Sequence, residues 1–320
     1  MANIREEELL ALLKGQVPLW PWLEEARRLK ELYFGKHIET CAIVNAKSGQ
    51  CPSDCKFCAQ SRFWPTKVET YPLLSEAELL AKVAWAKEQG IDRFSFVTSG
   101  VRLSPREFDR LLATIQQATR AFPEVKICAS LGQLGREELE ALKEAGLARY
   151  HHNLETAASF YPQIVSVQQW EDRLRTAELV KEVGLSLCCG GIWGLGESDE
   201  QILEFIYTLK ALSPDSVPVN FLHPIAQTPL ERASFLTPQK ALAILVVLRF
   251  LLPDKAIRVC GGREYNLRDL QAWALLPANA LMVGHYLTTK GRALADDLQM
   301  ILDLGYSVNL KRSCTKPQPD

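Results

Sequence analysis

The chain has 320 residues, 47% of them hydrophobic and 23% charged, with a formal net charge of −1. That length suffices for one α/β barrel, and the neutral balance removes the electrostatic drive toward nucleic acid or an anionic membrane. No apolar run reaches the roughly 18 residues of a spanning helix, the acidic start (Arg5, Glu6, Glu7, Glu8) is no secretory signal, and nine cysteines, an odd number, read as reduced thiols in the cytoplasm.

Residues 1–37 form a helical extension: Leu9, Leu10, Leu12 and Leu13 recur at helical spacing, and Pro18 and Pro21 interrupt before a second helix. From residue 38 short apolar strands alternate with amphipathic helices. The strands fall near 39–44, 93–98, 125–130, 148–153, 186–192, 216–222, 256–260 and 280–283. The helices fall over 75–89, 104–121, 136–145, 168–183, 198–212, 238–251, 267–275 and 292–304. Ser75, Ser104, Ser198 and Thr237 stand where N-caps belong, and Gly90, Gly146 and Gly184 where helices end. Eight such alternations imply parallel strands with right-handed crossovers, enough to close a TIM-type (βα)8 barrel over residues 38–310. The polar tail 311–320, with Pro317 and Pro319, reads as mobile, and Cys314 within it has no evident role.

The loop after the first strand reads Cys51-Pro-Ser-Asp-Cys55-Lys-Phe-Cys58. Soft thiolates at this spacing select zinc, copper(I) or an iron–sulfur cluster. A structural zinc site closes with four ligands, and no His lies nearby to be the fourth. A [4Fe–4S] cube on three cysteines keeps one iron open, and C-x3-C-x2-C with an aromatic before the last Cys is the signature of radical S-adenosylmethionine enzymes.

Barrel active sites gather at the C-terminal ends of the strands, where this loop sits. Strand side chains alternate between lumen and helix layer, which makes polar strand residues informative. Cys128 and Ser130 share a face, as do Ser186 and Cys188, with Cys189 on the opposite parity; Arg258 and Cys260 share another. Any one of Cys128, Cys188 and Cys260 alone is a small packing residue. Three on separate strands, beside an Arg that burial would penalise, point to a second metal site. On the fourth strand His151, Asn153 and Glu155 share parity and suit a ribose diol or an amide, and Asn220 on the sixth can both donate and accept. Gly190-Gly191 and Gly194-x-Gly196 lack the Lys-Ser/Thr of a P-loop; close approach of a bulky ligand explains them equally well. Thr98-Ser99-Gly100 offers backbone to the amino-acid end of a cosubstrate.

Together these residues resemble the biotin synthase family, through Cys51-x3-Cys55-x2-Cys58, His152-Asn-Leu-Glu155, Gly190-Gly-Ile-Trp-Gly-Leu-Gly-Glu197, Val217-Pro-Val-Asn220 and Gly261-Gly-Arg-Glu264. The resemblance implies radical insertion of sulfur into dethiobiotin, with S-adenosylmethionine bound at the open iron and cleaved to methionine and a 5′-deoxyadenosyl radical. It places Phe57 near the adenine, Asn153 and Glu155 on the ribose, and Asn153 and Asn220 on the ureido ring of dethiobiotin. It further implies an electron donor such as flavodoxin or ferredoxin, and a homodimer.

The family's second cluster, a sulfur-donating [2Fe–2S], uses three cysteines and an arginine. Cys128, Cys188 and Arg258 match three of those positions, but Ser95 stands at the fourth, and a hydroxyl is a poor, hard ligand. Cys260 adds a thiol beside Arg258, and Cys41 on the first strand reaches the same lumen. The expectation is an auxiliary cluster on Cys128, Cys188, Cys260 and Cys41, [2Fe–2S] or a larger four-iron cluster carrying the transferable sulfide. The competing readings are another radical enzyme on this barrel (hydrogenase-maturation or methylornithine-synthase-like), an iron–sulfur electron carrier, and a structural zinc protein.

Overall fold

Two helices, α1 (Glu6–Leu13) and α2 (Leu19–Phe34), precede the first strand in the computed structural model, which describes residues 4–309. Leu9, Leu12, Leu13, Leu23 and Ala26 are buried. They pack on α8 (Pro238–Leu251), in which every residue from Ala241 to Arg249 is buried. A helix apolar on all sides needs cover on all sides, and the N-terminal pair supplies it here. Arg249 is satisfied by the carbonyls of Pro277 (2.8 Å), Pro253 (3.0 Å) and Lys255 (2.9 Å) and by Asn279 Oδ1 (2.8 Å). No described helix is long and apolar enough to cross a membrane. The tail 311–320, Cys314 included, lies outside the described residues.

The strands are β1 (Glu39–Lys47), β2 (Arg93–Thr98), β3 (Lys126–Ser130), β4 (Arg149–His151), β5 (Leu187–Cys188), β6 (Gly191–Trp193), β7 (Ser216–Phe221), β8 (Ala256–Val259) and β9 (Ala280–Met282). All pair in parallel, in the order β5-β4-β3-β2-β1-β9-β8-β7-β6, and β5 also pairs with β7, closing the ring. β5 and β6 occupy one place, so the barrel has eight strand positions, as the alternation predicts. The intervening helices are α3 (Glu76–Glu88), α4 (Pro105–Ala121), α5 (Arg136–Glu144), α6 (Trp170–Glu182), α7 (Asp199–Leu212), α9 (Arg263–Leu267) and, after β9, α10 (Leu294–Asp303). Ser75, Ser198 and Thr237 accept from the third backbone N–H of their helices at 3.2–3.3 Å. Ser104 instead donates to the Glu107 carboxylate.

Three expected elements are corrected. The strand expected over 186–192 is broken between Cys188 and Gly191, because the Glu155 backbone passes against Gly191: a Cβ there would lie 2.1 Å from Glu155 O. Strand 148–153 shortens to β4, since the chain leaves the sheet toward Glu155, which adopts φ 73°. The helix expected over 267–275 starts earlier as α9 and continues as a 3-10 helix, Arg268–Leu275. Gly262, at φ 75°, opens it, and a Cβ there would meet Phe221 O at 1.8 Å.

Candidate active site

The loop after β1 is held by its own backbone. Cys51 N–H donates to Gln60 O (2.9 Å), Arg62 N–H to Cys51 O (3.0 Å) and Cys58 N–H to Cys55 O (3.0 Å). Trp64 Nε1 donates to Cys55 O at 2.9 Å. Asp54 accepts the N–H groups of Ser166 (3.0 Å) and Val167 (3.2 Å), tying the loop to the segment beyond β4. The three thiols thereby line one cavity of about 380 Å³ that opens among the C-terminal ends of the strands and reaches into the lumen.

Burial pushes Cys55 up to about 11 and Cys58 up to about 12, so a bound cation is what would hold them as thiolates. Among the described residues, no group of three or more His, Cys, Asp or Glu is gathered tightly enough for a single metal ion. Three thiols without a fourth side-chain donor fit an iron–sulfur cube that leaves one iron to a ligand, and do not fit a closed zinc cage.

Phe57, Thr98, Ser99, Asn153 and Glu155 line the same cavity beside this loop. Ser99 Oγ donates to Gly49 O at 2.8 Å, while Thr98 Oγ1 is buried without a partner. Asn153 Nδ2 donates to Glu155 Oε2 (3.3 Å), and its Oδ1 accepts from Gly190 N–H (3.2 Å). Arg173 braces the pair, 3.4 Å from Glu155 Oε1 and 3.2 Å from Asn153 O, and donates to Tyr161 Oη at 2.9 Å. Burial works against the Arg173 charge, but Glu155 and Tyr161 outweigh it and hold the guanidinium protonated. Asn220 also lines the cavity; it donates to Gly191 O (3.1 Å) and accepts from Gly261 N–H (3.2 Å), linking two neighbouring segments. The glycines at 190 and 191 answer to backbone: a Cβ on Gly190 would lie 2.2 Å from Pro218 O. The bulky-ligand reading of that pair is therefore corrected.

Deeper in the lumen, Cys41, Cys128, Cys188 and Cys260 line the cavity with Ser95 and Arg258. Cys189 does not; it is wholly buried in the core. Ser95 is paired in register with Cys128. Burial would push Cys188 up, but His151, Arg258 and Arg149 outweigh it and bring the thiol down to about 6. His151 Nδ1 lies 3.4 Å, and Arg258 Nη1 3.7 Å, from Cys188 Sγ. Cys41, by contrast, is pushed up to about 12 by burial, and Cys128 and Cys260 are raised for the same reason.

The motif reading missed Glu39, Arg93, Arg149 and Arg173. Glu39 pairs with Arg258 (2.5 Å) and Arg93 (2.8 Å), and although burial works to raise its carboxyl, those two guanidinium groups hold it low. A signal was present: Glu39 shares parity with Cys41, Arg93 with Ser95 and Arg149 with His151. An Arg inside a short apolar strand calls for a partner.

Comparison with known proteins gives two family matches, the Radical SAM superfamily over residues 46–209 and the Biotin and Thiamin Synthesis associated domain over residues 218–307. The chain is 44% identical over 305 residues to a biotin synthase of Citrifermentans bemidjiense, covering 95% of this chain and 93% of that protein. It is 46% identical over 301 residues to a biotin synthase of Desulforudis audaxviator, covering 93% and 92%. Among solved structures it is similar to methylornithine synthase, with a TM-score of 0.82 at 19% identity over 97% of this chain and 94% of that one. An FeFe-hydrogenase maturase from Carboxydothermus hydrogenoformans gives a TM-score of 0.79 at 20% identity, over 97% and 77%. At such identities those two likenesses are of fold.

Proposed function

The chain belongs to the biotin synthase family, and from that premise we propose how its residues divide the work of making biotin from dethiobiotin with S-adenosylmethionine. The rival assignments to hydrogenase maturation or methylornithine synthesis share the barrel only. A [4Fe–4S] cluster on Cys51, Cys55 and Cys58 supplies, when bound, the electron that cleaves S-adenosylmethionine and so begins radical chemistry.

The chain's own residues bind, orient and exclude water. Phe57 flanks the adenine, Thr98 and Ser99 meet the amino-acid end, and Glu155, aligned by Arg173, takes the ribose with Asn153. Asn153 and Asn220 hold the ureido ring; their amides are already fixed by backbone partners, which leaves little rotamer freedom to lose on binding. Substrate placed there lies between the cosubstrate wall and the thiol-lined lumen, screened from solvent by the barrel.

The lumen is assigned to an auxiliary iron–sulfur cluster that donates sulfur. Cys41, Cys128, Cys188 and Cys260 are its thiol ligands, with Arg258 beside them, and Ser95 is no ligand. Four thiols can hold either a [2Fe–2S] or a four-iron cluster; the four-iron form is assigned because Ser95 and the added Cys260 depart from the family's [2Fe–2S] ligand set. The observation that supports it best is charge: Arg93, Arg149 and Arg258 are buried there, and among the described residues Glu39 is the one carboxylate in direct ion-pair contact with any of them, so an anionic cluster of thiolates and sulfide offsets the excess. Family resemblance supports flavodoxin or ferredoxin as reductant, a homodimer, and a cytoplasmic setting. The division into an extension over 1–37 and a barrel over 38–310 follows the helices that cap α8.

Mössbauer spectroscopy of a reconstituted Cys51→Ala/Cys55→Ala/Cys58→Ala variant tests the assignment, since only the auxiliary iron remains. A four-iron spectrum is expected. A clean two-iron spectrum overturns the nuclearity, and no bound iron overturns the auxiliary site.

A further inference from the structure

The three arginines of the lumen are not balanced alike. Arg93 and Arg258 share the Glu39 carboxylate. Arg149, 8% exposed, donates from Nε to Ser186 Oγ at 2.9 Å, and Ser186 in turn donates to Asp215 at 3.1 Å, so Arg149 reaches that carboxylate only through a hydroxyl. Arg149 Nη1 is buried with no partner. A buried guanidinium with an unmet N–H is a costly arrangement unless a ligand completes it.

Register shows where it faces. Arg149 is paired with Cys128 and His151 with Cys188, and both Arg149 and His151 line the cavity. The surrounding lining is thiols and hydroxyls: Ser95, Cys128, Ser130 and Cys188. Among the described residues the one carboxylate in the lining is Glu155, which is paired with Arg173. A hard oxyanion such as phosphate needs several convergent N–H donors, whereas Arg149 Nη1 stands here beside one imidazole and a soft wall, and Arg258, whose Nε is also unpartnered, is already engaged by Glu39.

We propose that Arg149 and His151 form a binding site for a small soft anion, hydrosulfide, held beside the auxiliary cluster. This rests on the auxiliary-cluster reading above and adds to it the residues that keep sulfur not bridged between irons or bound by cysteine. Arg149 supplies the charge and the free N–H; His151 supplies a second directional contact. Both are positioning residues. The chemistry of the reaction gives such a site a use, because each product carries away one sulfur atom that reduced sulfur must replace.

The test uses the Cys51→Ala/Cys55→Ala/Cys58→Ala protein, reconstituted so that only the auxiliary site holds iron, and equilibrated with radiolabelled sodium sulfide under anaerobic dialysis. Label released by a brief chase with unlabelled sulfide counts the loosely held sulfur; bridging sulfide is not released. Saturable retention is expected, weakened about tenfold by Arg149→Met at unchanged iron content, the size of one charged hydrogen bond. Arg149→Lys and His151→Asn are each expected to weaken it about threefold, since Lys keeps the charge without the fork. Equal retention in the parent and Arg149→Met at equal iron overturns the proposal. Should Arg149→Met fail to take up iron, parent-like retention in both other variants overturns it. An iron-free parent protein overturns the auxiliary-cluster reading and this proposal with it, whereas iron without chaseable sulfide overturns the proposal alone.

Discussion

Glu39 Oε1 lies 2.5 Å from Arg258 Nη2, and its other oxygen lies 2.8 Å from Arg93 Nε, so one carboxylate at the start of β1 anchors guanidinium groups from β8 and β2. Register explains the meeting, because β1 is flanked by β9 and β2, and β9 carries β8 on its far side. Glu39→Gln keeps the shape and removes the charge. Breaking a buried ion pair from one side costs about 3 kcal/mol, so anaerobic thermal denaturation of the metal-free protein will show a lower Tm and reconstitution less auxiliary iron.

Ser95 is paired with Cys128, and its hydroxyl lies where a thiol would join the lumen set. Ser95→Cys combined with Cys260→Ala exchanges one thiol position for the other. The expected outcome, in the background lacking the three loop cysteines, is a shift of the Mössbauer spectrum from four-iron toward two-iron. An unchanged spectrum would remove Cys260 from the ligand set.

Glu155 is held by Arg173 and Asn153 beside the Cys51 loop. Glu155→Gln removes a charged acceptor and leaves Arg173 short of its counter-charge. Equilibrium dialysis of S-adenosylmethionine onto the iron-loaded protein is expected to show about tenfold weaker binding, the size of one charged hydrogen bond.

Gly191→Ala drives a Cβ into the Glu155 carbonyl, which it would meet at 2.1 Å. Backbone cannot yield as a side-chain tip does, so a loss of about 3 kcal/mol is expected, read from denaturant unfolding. Binding of S-adenosylmethionine should fall as well, because Glu155 O accepts the Ile192 N–H that fixes this turn.

Lys30 is fully buried over the Tyr306 ring, its Nζ without a hydrogen-bond partner, and burial brings the ammonium down to about 7. The unfolded chain keeps that proton to about pH 10.4. Between those values the unfolded state binds more protons than the folded one, so stability rises with pH through that window and the penalty is full below pH 7. Lys30→Met is expected to raise Tm at pH 6, with the gain shrinking by pH 9.5.

Much of this was legible in the chain because its signals are local. Cys51, Cys55 and Cys58 declare themselves by spacing, and the barrel by eight alternations of strand and helix. Parity put Cys128, Cys188 and Cys260 on lumen-facing positions, while Cys189, of opposite parity, stayed a weaker ligand candidate until the structure buried it in the core. What escaped depends on which strand lies beside which. Glu39, Arg93 and Arg258 are far apart in sequence and pair only once register is known. The break between Cys188 and Gly191 comes from Glu155 passing close by, which no periodicity encodes. Arg149 was missed for the same reason: its Ser186 partner lies on the neighbouring strand segment and 37 residues away in sequence.

The most direct measurement is a single anaerobic turnover of enzyme reconstituted with 34S-sulfide, using unlabelled S-adenosylmethionine, reductant and dethiobiotin, with products read by mass spectrometry. The account predicts 5′-deoxyadenosine together with biotin that carries the heavy isotope. Deoxyadenosine without biotin, or biotin without the label, would contradict the assignment of the lumen thiols to a sulfur-donating cluster.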